Sequence, residues 1–250
     1  MLDLLLPLIA GIGAGVVTGF FGGSAALVVV PVMVIFGGYS TYSAVGLALA
    51  IDVFCSATAF SVYHKHEKVK LHLPLHLTAF ALAGVIFGSL FSSAIPADML
   101  SMIVGAAFLV VSVRFFKTIK MRKGLKVKHF EFISALSGLV VGVILGIVGG
   151  GGGIALLLAL TLVLKYPIHK AVGTSVLVMV VLALFGAASH FAFAPFPLRD
   201  VLIGALGGIV GAVGSSHIAN RLSETWLNRV IGVCLVVFGL AIVLRGLALV

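Results

Sequence analysis

Acidic side chains are nearly missing from this chain: its 250 residues hold only seven Asp and Glu, against 16 Lys and Arg. Charged residues make up 9% of the sequence, whereas a soluble domain carries about 25% to cover its surface. Cysteine is as scarce. Cys55 and Cys234 both lie inside apolar stretches, too few and too far apart for a disulfide framework or a Cys-based metal site, and are read as small packing residues. No P-loop or other nucleotide motif is present, so any work the chain performs draws on an ion gradient or a partner protein. Met1-Leu2-Asp3 lacks the positive n-region and small-residue cleavage site of a signal peptide, so the first apolar stretch is expected to stay in the mature protein.

What is present is apolar. Hydrophobic residues make up 62% of the chain and the mean hydropathy is +1.32. Several stretches reach the about 20 residues that cross a hydrocarbon core about 30 Å thick. Lipid is therefore the solvent for most of the chain, and backbone groups in lipid must be satisfied internally. The expected fold class is all-α, a multi-span transmembrane helical bundle of about 8–10 membrane segments. The net charge of +9 would suit nucleic acid, but seven of the sixteen Lys and Arg fall between Arg114 and Lys128. That clustering fits a cytoplasmic loop under the positive-inside rule better.

Glycine supplies the internal pattern. Glycines 11, 15, 19, 22 and 23 recur as 138, 142, 146, 149 and 150, a shift of 127 that continues through Tyr39 and Tyr166 to Ala44-Val45-Gly46 and Ala171-Val172-Gly173. Further on, a shift of 123 pairs Gly84, Gly88, Ser92 and Ser93 with Gly207, Gly211, Ser215 and Ser216, and 127 returns at Gly105 and Gly232. The chain thus reads as a first transmembrane repeat over 1–116, a basic cytoplasmic linker over 117–130 and a second repeat over 131–250. Each repeat opens with a glycine-interrupted apolar segment (4–36, 132–164). Three apolar stretches follow, over 43–63, 73–94 and 99–116 and over 169–193, 198–219 and 227–244. With the basic loops inside, inverted repeats put 14 Lys and Arg in the cytoplasm and 2 outside, whereas parallel repeats give 12 and 4; inversion fits the positive-inside rule better. Each interrupted segment must then begin and end on one side, as two short spans or a re-entrant hairpin. Broken helices at matching places in two inverted halves point to a transporter's binding site.

The candidate site residues follow. Gly149-Gly150-Gly151-Gly152-Gly153 is costly in a helix, about 1 kcal/mol per glycine relative to alanine, unless a bare backbone is needed. Bare N–H groups ahead of a helix starting near Ile154 would make an anion cradle. The spaced glycines 138, 142, 146 and 150 read instead as a G-x-x-x-G packing ladder. In the first half, Gly22-Gly23-Ser24 adds a hydroxyl donor and Pro31 a gap in backbone bonding, forming a second, unequal wall of the same cavity. Thr174 and Ser175, after Gly173 and near a helix start, either cap it or contact a ligand. Asp52 is the one acid near the middle of an apolar span, where an ionised Asp costs about 2.5 to 3.5 kcal/mol on insertion scales. It reads as a proton-coupling group or as a protonated side chain bonded to a neighbouring helix. His190, the counterpart of Tyr63, is placed toward the outer end of its helix as an interfacial side chain or a proton relay.

The remaining acids, Asp3, Glu67, Asp98, Glu131, Asp200 and Glu224, fall near predicted span ends. A cation pump or membrane metal enzyme needs several carboxylates or histidines at depth, whereas bare backbone with hydroxyls suits an anion. No cofactor and no resident metal are expected. His64, His66, His72 and His76 keep a metal-cation permease open as a rival, and an integral-membrane enzyme acting on sulfur compounds is another.

At these residues the chain resembles the TauE/SafE family of membrane transporters. The second half carries the resemblance in Gly146-Ile147-Val148 with the run from Gly149 to Gly153, and in Ala171-Val172-Gly173-Thr174-Ser175. The first half matches in part, through Gly19-Phe20-Phe21-Gly22-Gly23 with Pro31 and through Ala44-Val45-Gly46. The resemblance implies a multi-pass protein of the cell membrane, of bacterial inner-membrane type, that moves sulfite, sulfonates or related sulfur-containing organic anions. The expected partners are the small anion and the lipid bilayer, with no nucleic acid; a homo-oligomer is compatible with them.

Overall fold

The computed structural model describes residues 2–65, 75–91, 130–148, 152–164 and 166–223, with isolated positions between 96 and 113 and between 225 and 244. The described residues are helical and contain no strand. Among the described residues eight α-helices are delimited, in order: α1 (Leu2–Phe21), α2 (Ala26–Ile35), α3 (Thr41–Lys65), α4 (Leu75–Phe91), α5 (Phe130–Val148), α6 (Gly152–Leu158), α7 (Ile168–Phe193) and α8 (Leu198–Arg221). A π-helical turn, Ala159–Val163, prolongs α6. Among the described residues four helices are long and apolar enough to cross a membrane: Leu4–Phe21, Tyr42–Lys65, Ile168–Phe193 and Leu198–Ala219. The expected stretches at 99–116 and 227–244, and the basic linker, lie largely or wholly outside the described residues.

Local chemistry sets the helix ends. Ser40 opens α3 by accepting the Ser43 N–H at 3.2 Å, the usual service of a hydroxyl ahead of a helix. Pro167 and Pro197 precede α7 and α8 with ψ of 143° and 121°, an extended conformation that leaves the helix to begin at the next residue. Between α2 and α3, Tyr39 donates its phenolic hydrogen to Asp200, in the first turn of α8. Burial first, and this bond second, hold that phenol above its ordinary value of 10.0.

The packing is reciprocal. α1 packs on α8 and α4 on α5, while α3 and α7 pack on each other and carry most of the fully buried side chains. Glycine makes the two outer pairs close. A Cβ on Gly11 or Gly15 would sit 2.0 Å from the carbonyl oxygen of Gly204 or Gly208, and one on Gly138 or Gly142 would sit 2.2 or 2.0 Å from that of Leu77 or Ala81. Helices in lipid gain little from burying apolar surface against each other, so the gain comes from close backbone approach at small residues.

These contacts correct the register. Gly84 abuts the Leu139 carbonyl and Gly211 that of Ile12; Gly146 abuts Gly88, and Gly19 abuts Ser215. Every one of these correspondences has the shift of 127, so Gly84 answers to Gly211 and Gly88 to Ser215; the 123 shift does not hold in the packing. The turn contacts agree, since Tyr39 N–H donates to Met33 O at 3.1 Å and Tyr166 N–H to Leu160 O at 2.9 Å. The reason is periodic. Glycines four apart look alike when slid by one helical turn, and sequence matching locked onto the slid alignment.

Candidate functional site

The chain between α1 and α2 turns sharply at Gly22, whose φ of +57° is one that L side chains rarely adopt. Its N–H closes the last turn of α1 on Thr18 O at 2.8 Å. Its carbonyl accepts the Ser175 hydroxyl at 3.3 Å, and a Cβ on Gly22 would lie 1.9 Å from that oxygen. Ser24 opens α2, its Oγ accepting the Ala26 N–H at 3.3 Å. Against this turn sits the start of α6. A Cβ on Gly153 would lie 2.4 Å from Ser24 N and 2.5 Å from Gly23 C. Thus Gly22, Gly23, Ser24, Gly153 and Ser175 come together, drawn from both halves of the sequence.

The other predicted residues fall as follows. Gly149, Gly150 and Gly151 lie outside the described residues. Gly152 is buried, with its missing Cβ 2.2 Å from that of Leu145, a packing role. Thr174 and Ser175 lie fully buried in the second turn of α7, not at its cap, and Ser175 also donates to Val172 O at 2.8 Å. His66 and His72 lie outside the described residues, while His64 stacks on Phe60 with ring centres 5.5 Å apart.

Asp52 is fully buried in α3. Thr18 of α1 donates to its Oδ1 at 3.2 Å and Ser56, one turn along α3, at 3.1 Å. Oδ2 has no partner at hydrogen-bond geometry, although the Ser24 hydroxyl and the Ala25 N–H also face the carboxyl group. Sequence reasoning missed Thr18 and Ser56. Ser56 was within reach, being four residues from Asp52 and so on the same helix face; Thr18 needed the packing of α1 on α3.

His190 stands in the last turn of α7, toward the end of its helix as expected, and is buried against its neighbours, 1% exposed. Its Nε2 lies 3.3 Å from Gly146 O, and its ring lies 4.3 Å from that of Tyr42. Its counterpart Tyr63 donates to Gly19 O at 2.8 Å, the same contact shifted by 127. Both glycine carbonyls belong to the last turn of their helix, where no intrahelical donor remains, so the neutral imidazole with its proton on Nε2 does what the phenol does. His190→Tyr should therefore keep more of the melting temperature than His190→Phe. The latter leaves a buried carbonyl unmet, at about 1–3 kcal/mol; equal losses in the two variants would remove the Gly146 bond from the account.

The model of the family described as "Sulfite exporter TauE/SafE" matches residues 7–242, nearly the whole chain. The chain belongs to the TauE/SafE family. It is a membrane transporter, not an enzyme. "Probable membrane transporter protein YdhB" of Bacillus subtilis (strain 168) is 26% identical to this TauE/SafE chain over 207 residues, which span 79% of this chain and 84% of that one. No solved structure matches.

Proposed function

We propose that this TauE/SafE transporter is a secondary carrier of small sulfur-containing anions such as sulfite or sulfonates, with the two glycine segments as its substrate pocket. The observation that carries this reading is the seating of Gly153 directly on Gly23 and Ser24, beside the buried Asp52. The pocket comprises Gly22, Gly23, Ser24, the run from Gly149 to Gly153, Thr174 and Ser175. Main-chain N–H groups at the starts of two short helices supply donors to a compact anion without placing a cation in lipid. The reciprocal packing at a shift of 127 supports two related repeats, 1–116 and 131–250; the distribution of Lys and Arg favours reading them as inverted, with both glycine segments re-entrant and the 117–130 linker cytoplasmic. Asp52 is the leading proton-coupling group and His190 the second.

Flux in proteoliposomes tests both parts. Labelled sulfite or a sulfonate should enter saturably and compete with one another, while simple carboxylates and sulfate rank below them; flux no greater than in empty liposomes would refute the carrier. Under an imposed pH gradient Asp52→Asn should abolish uphill accumulation while leaving downhill exchange. Accumulation that still follows pH in Asp52→Asn would move the coupling elsewhere.

A further inference from the structure

Asp52 sits where a ligand would. Everything polar that meets its carboxyl group is a donor: the Thr18 and Ser56 hydroxyls at 3.2 and 3.1 Å, and the Ser24 hydroxyl and Ala25 N–H at the start of α2. Among the described residues no charged side chain faces it, and its titratable neighbour is the Cys55 thiol, one turn along the same helix. A cation site gathers carbonyl oxygens and further carboxylates. This pocket gathers O–H and N–H donors at the N-terminal end of a ten-residue helix, the arrangement that holds an anion. Oδ2, without a hydrogen-bond partner, is buried in that pocket with the rest of the side chain.

The other half supplies an independent comparison. At the shift of 127 that the packing fixes, Thr18, Asp52 and Ser56 become Leu145, Met179 and Ala183, all apolar and fully buried. Acid and donors are replaced as a set. Hydroxyls that only filled space between α1 and α3 would have no reason to go with the carboxyl group; donors whose purpose is to hold its charge would, because a buried hydroxyl without a partner costs stability.

We propose that the Asp52 side chain, in the ionised state of its coupling cycle, is a tethered anion lodged in a small-oxyanion pocket formed by Thr18, Ser24, Ala25 and Ser56, and that a free carboxylate can replace it when the side chain is removed. The first half is then self-occupied and offers no second place to a transported anion. A further step rests on the substrate site proposed above. Ser24 stands between the two sites, its nitrogen against Gly153 and its hydroxyl toward Asp52, so the tethered charge opposes the charge of a bound substrate across a single residue. Each chain then carries one substrate anion per cycle.

The test uses the purified full chain and formate as the probe. Asp52→Ala should melt lower than the wild type, and formate should raise its melting temperature saturably, by about 5 °C, while leaving the wild type unmoved. Asp52→Asn, whose amide still fills the pocket, should melt lower and ignore formate. No response in Asp52→Ala, or the same response in the wild type, overturns the proposal. If Asp52→Ala cannot be recovered folded, Thr18→Val provides the second measurement. Removing a donor from a lodged anion should lower the melting temperature, and adding Asp52→Asn should cost little more because the charge is gone. Losses that simply add overturn the tethered anion. Sulfite binding by the wild-type protein is a separate measurement, so its failure strikes the substrate reading and leaves the formate result standing.

Discussion

Valine in place of Gly153 should abolish transport. The first added atom already collides: a Cβ there stands 2.4 Å from Ser24 N, 2.5 Å from Gly23 C and 2.8 Å from Gly23 Cα. All three are backbone atoms of the turn between α1 and α2, so no rotamer change relieves the contact. Overpacking a core ordinarily costs about 1–3 kcal/mol because side chains can shift; here α6 or the turn has to move as a body. Either movement parts the two glycine segments. Gly23→Ala is the matched control. Its Cβ would meet Val17, Ile154 and Phe21 side chains at 3.4–3.7 Å, ordinary contact distances, and it should fold and melt close to the wild type. Proteoliposome flux and melting temperature, measured on both variants, separate a lost pocket from a lost fold. Wild-type flux in Gly153→Val would show that the contact between the two segments is dispensable.

How much of this was legible in the sequence depends on the distance over which each contact acts. Hydropathy and glycine spacing are properties of a single segment, and they located the helices and the shift of 127. The register of α4 and α8 was read one turn out, because a glycine ladder is nearly self-similar under a slide of four residues. Only the partner helix breaks that degeneracy, as the Leu139 carbonyl does for Gly84 and the Ile12 carbonyl for Gly211. The Asp52 pocket was half visible for the same reason: Asp52 stood out as an acid in lipid, but Thr18 reaches it from another helix across 34 residues of sequence. The partner of His190 was not legible, because a histidine in an apolar span has none that sequence can name. The Tyr63 bond to Gly19 supplies the one it has.

The same register predicts the second large effect. Gly15→Leu and Gly142→Leu should each prevent stable folding, and to the same degree, because they are one position seen twice. A Cβ on Gly15 would stand 2.0 Å from Gly208 O and 2.6 Å from Ala212 N; on Gly142 it would stand 2.0 Å from Ala81 O and 2.7 Å from Ala81 C. A leucine at either site must push two helix backbones apart along the contact that joins α1 to α8 or α5 to α4. In lipid that separation forfeits the dispersion contacts that hold such a pair, with no hydrophobic gain to offset it. Gly214 gives the contrast. A Cβ there would meet nothing within 4 Å, so Gly214→Ala should fold normally and gain up to about 1 kcal/mol of helix propensity. Size-exclusion profiles and melting temperatures in detergent read all three. A well-folded, monodisperse Gly142→Leu protein would mean that α4 and α5 are not held by backbone contact. Unequal losses at Gly15 and Gly142 would mean that the two outer pairs, though built on one register, do not bear the same share of the fold.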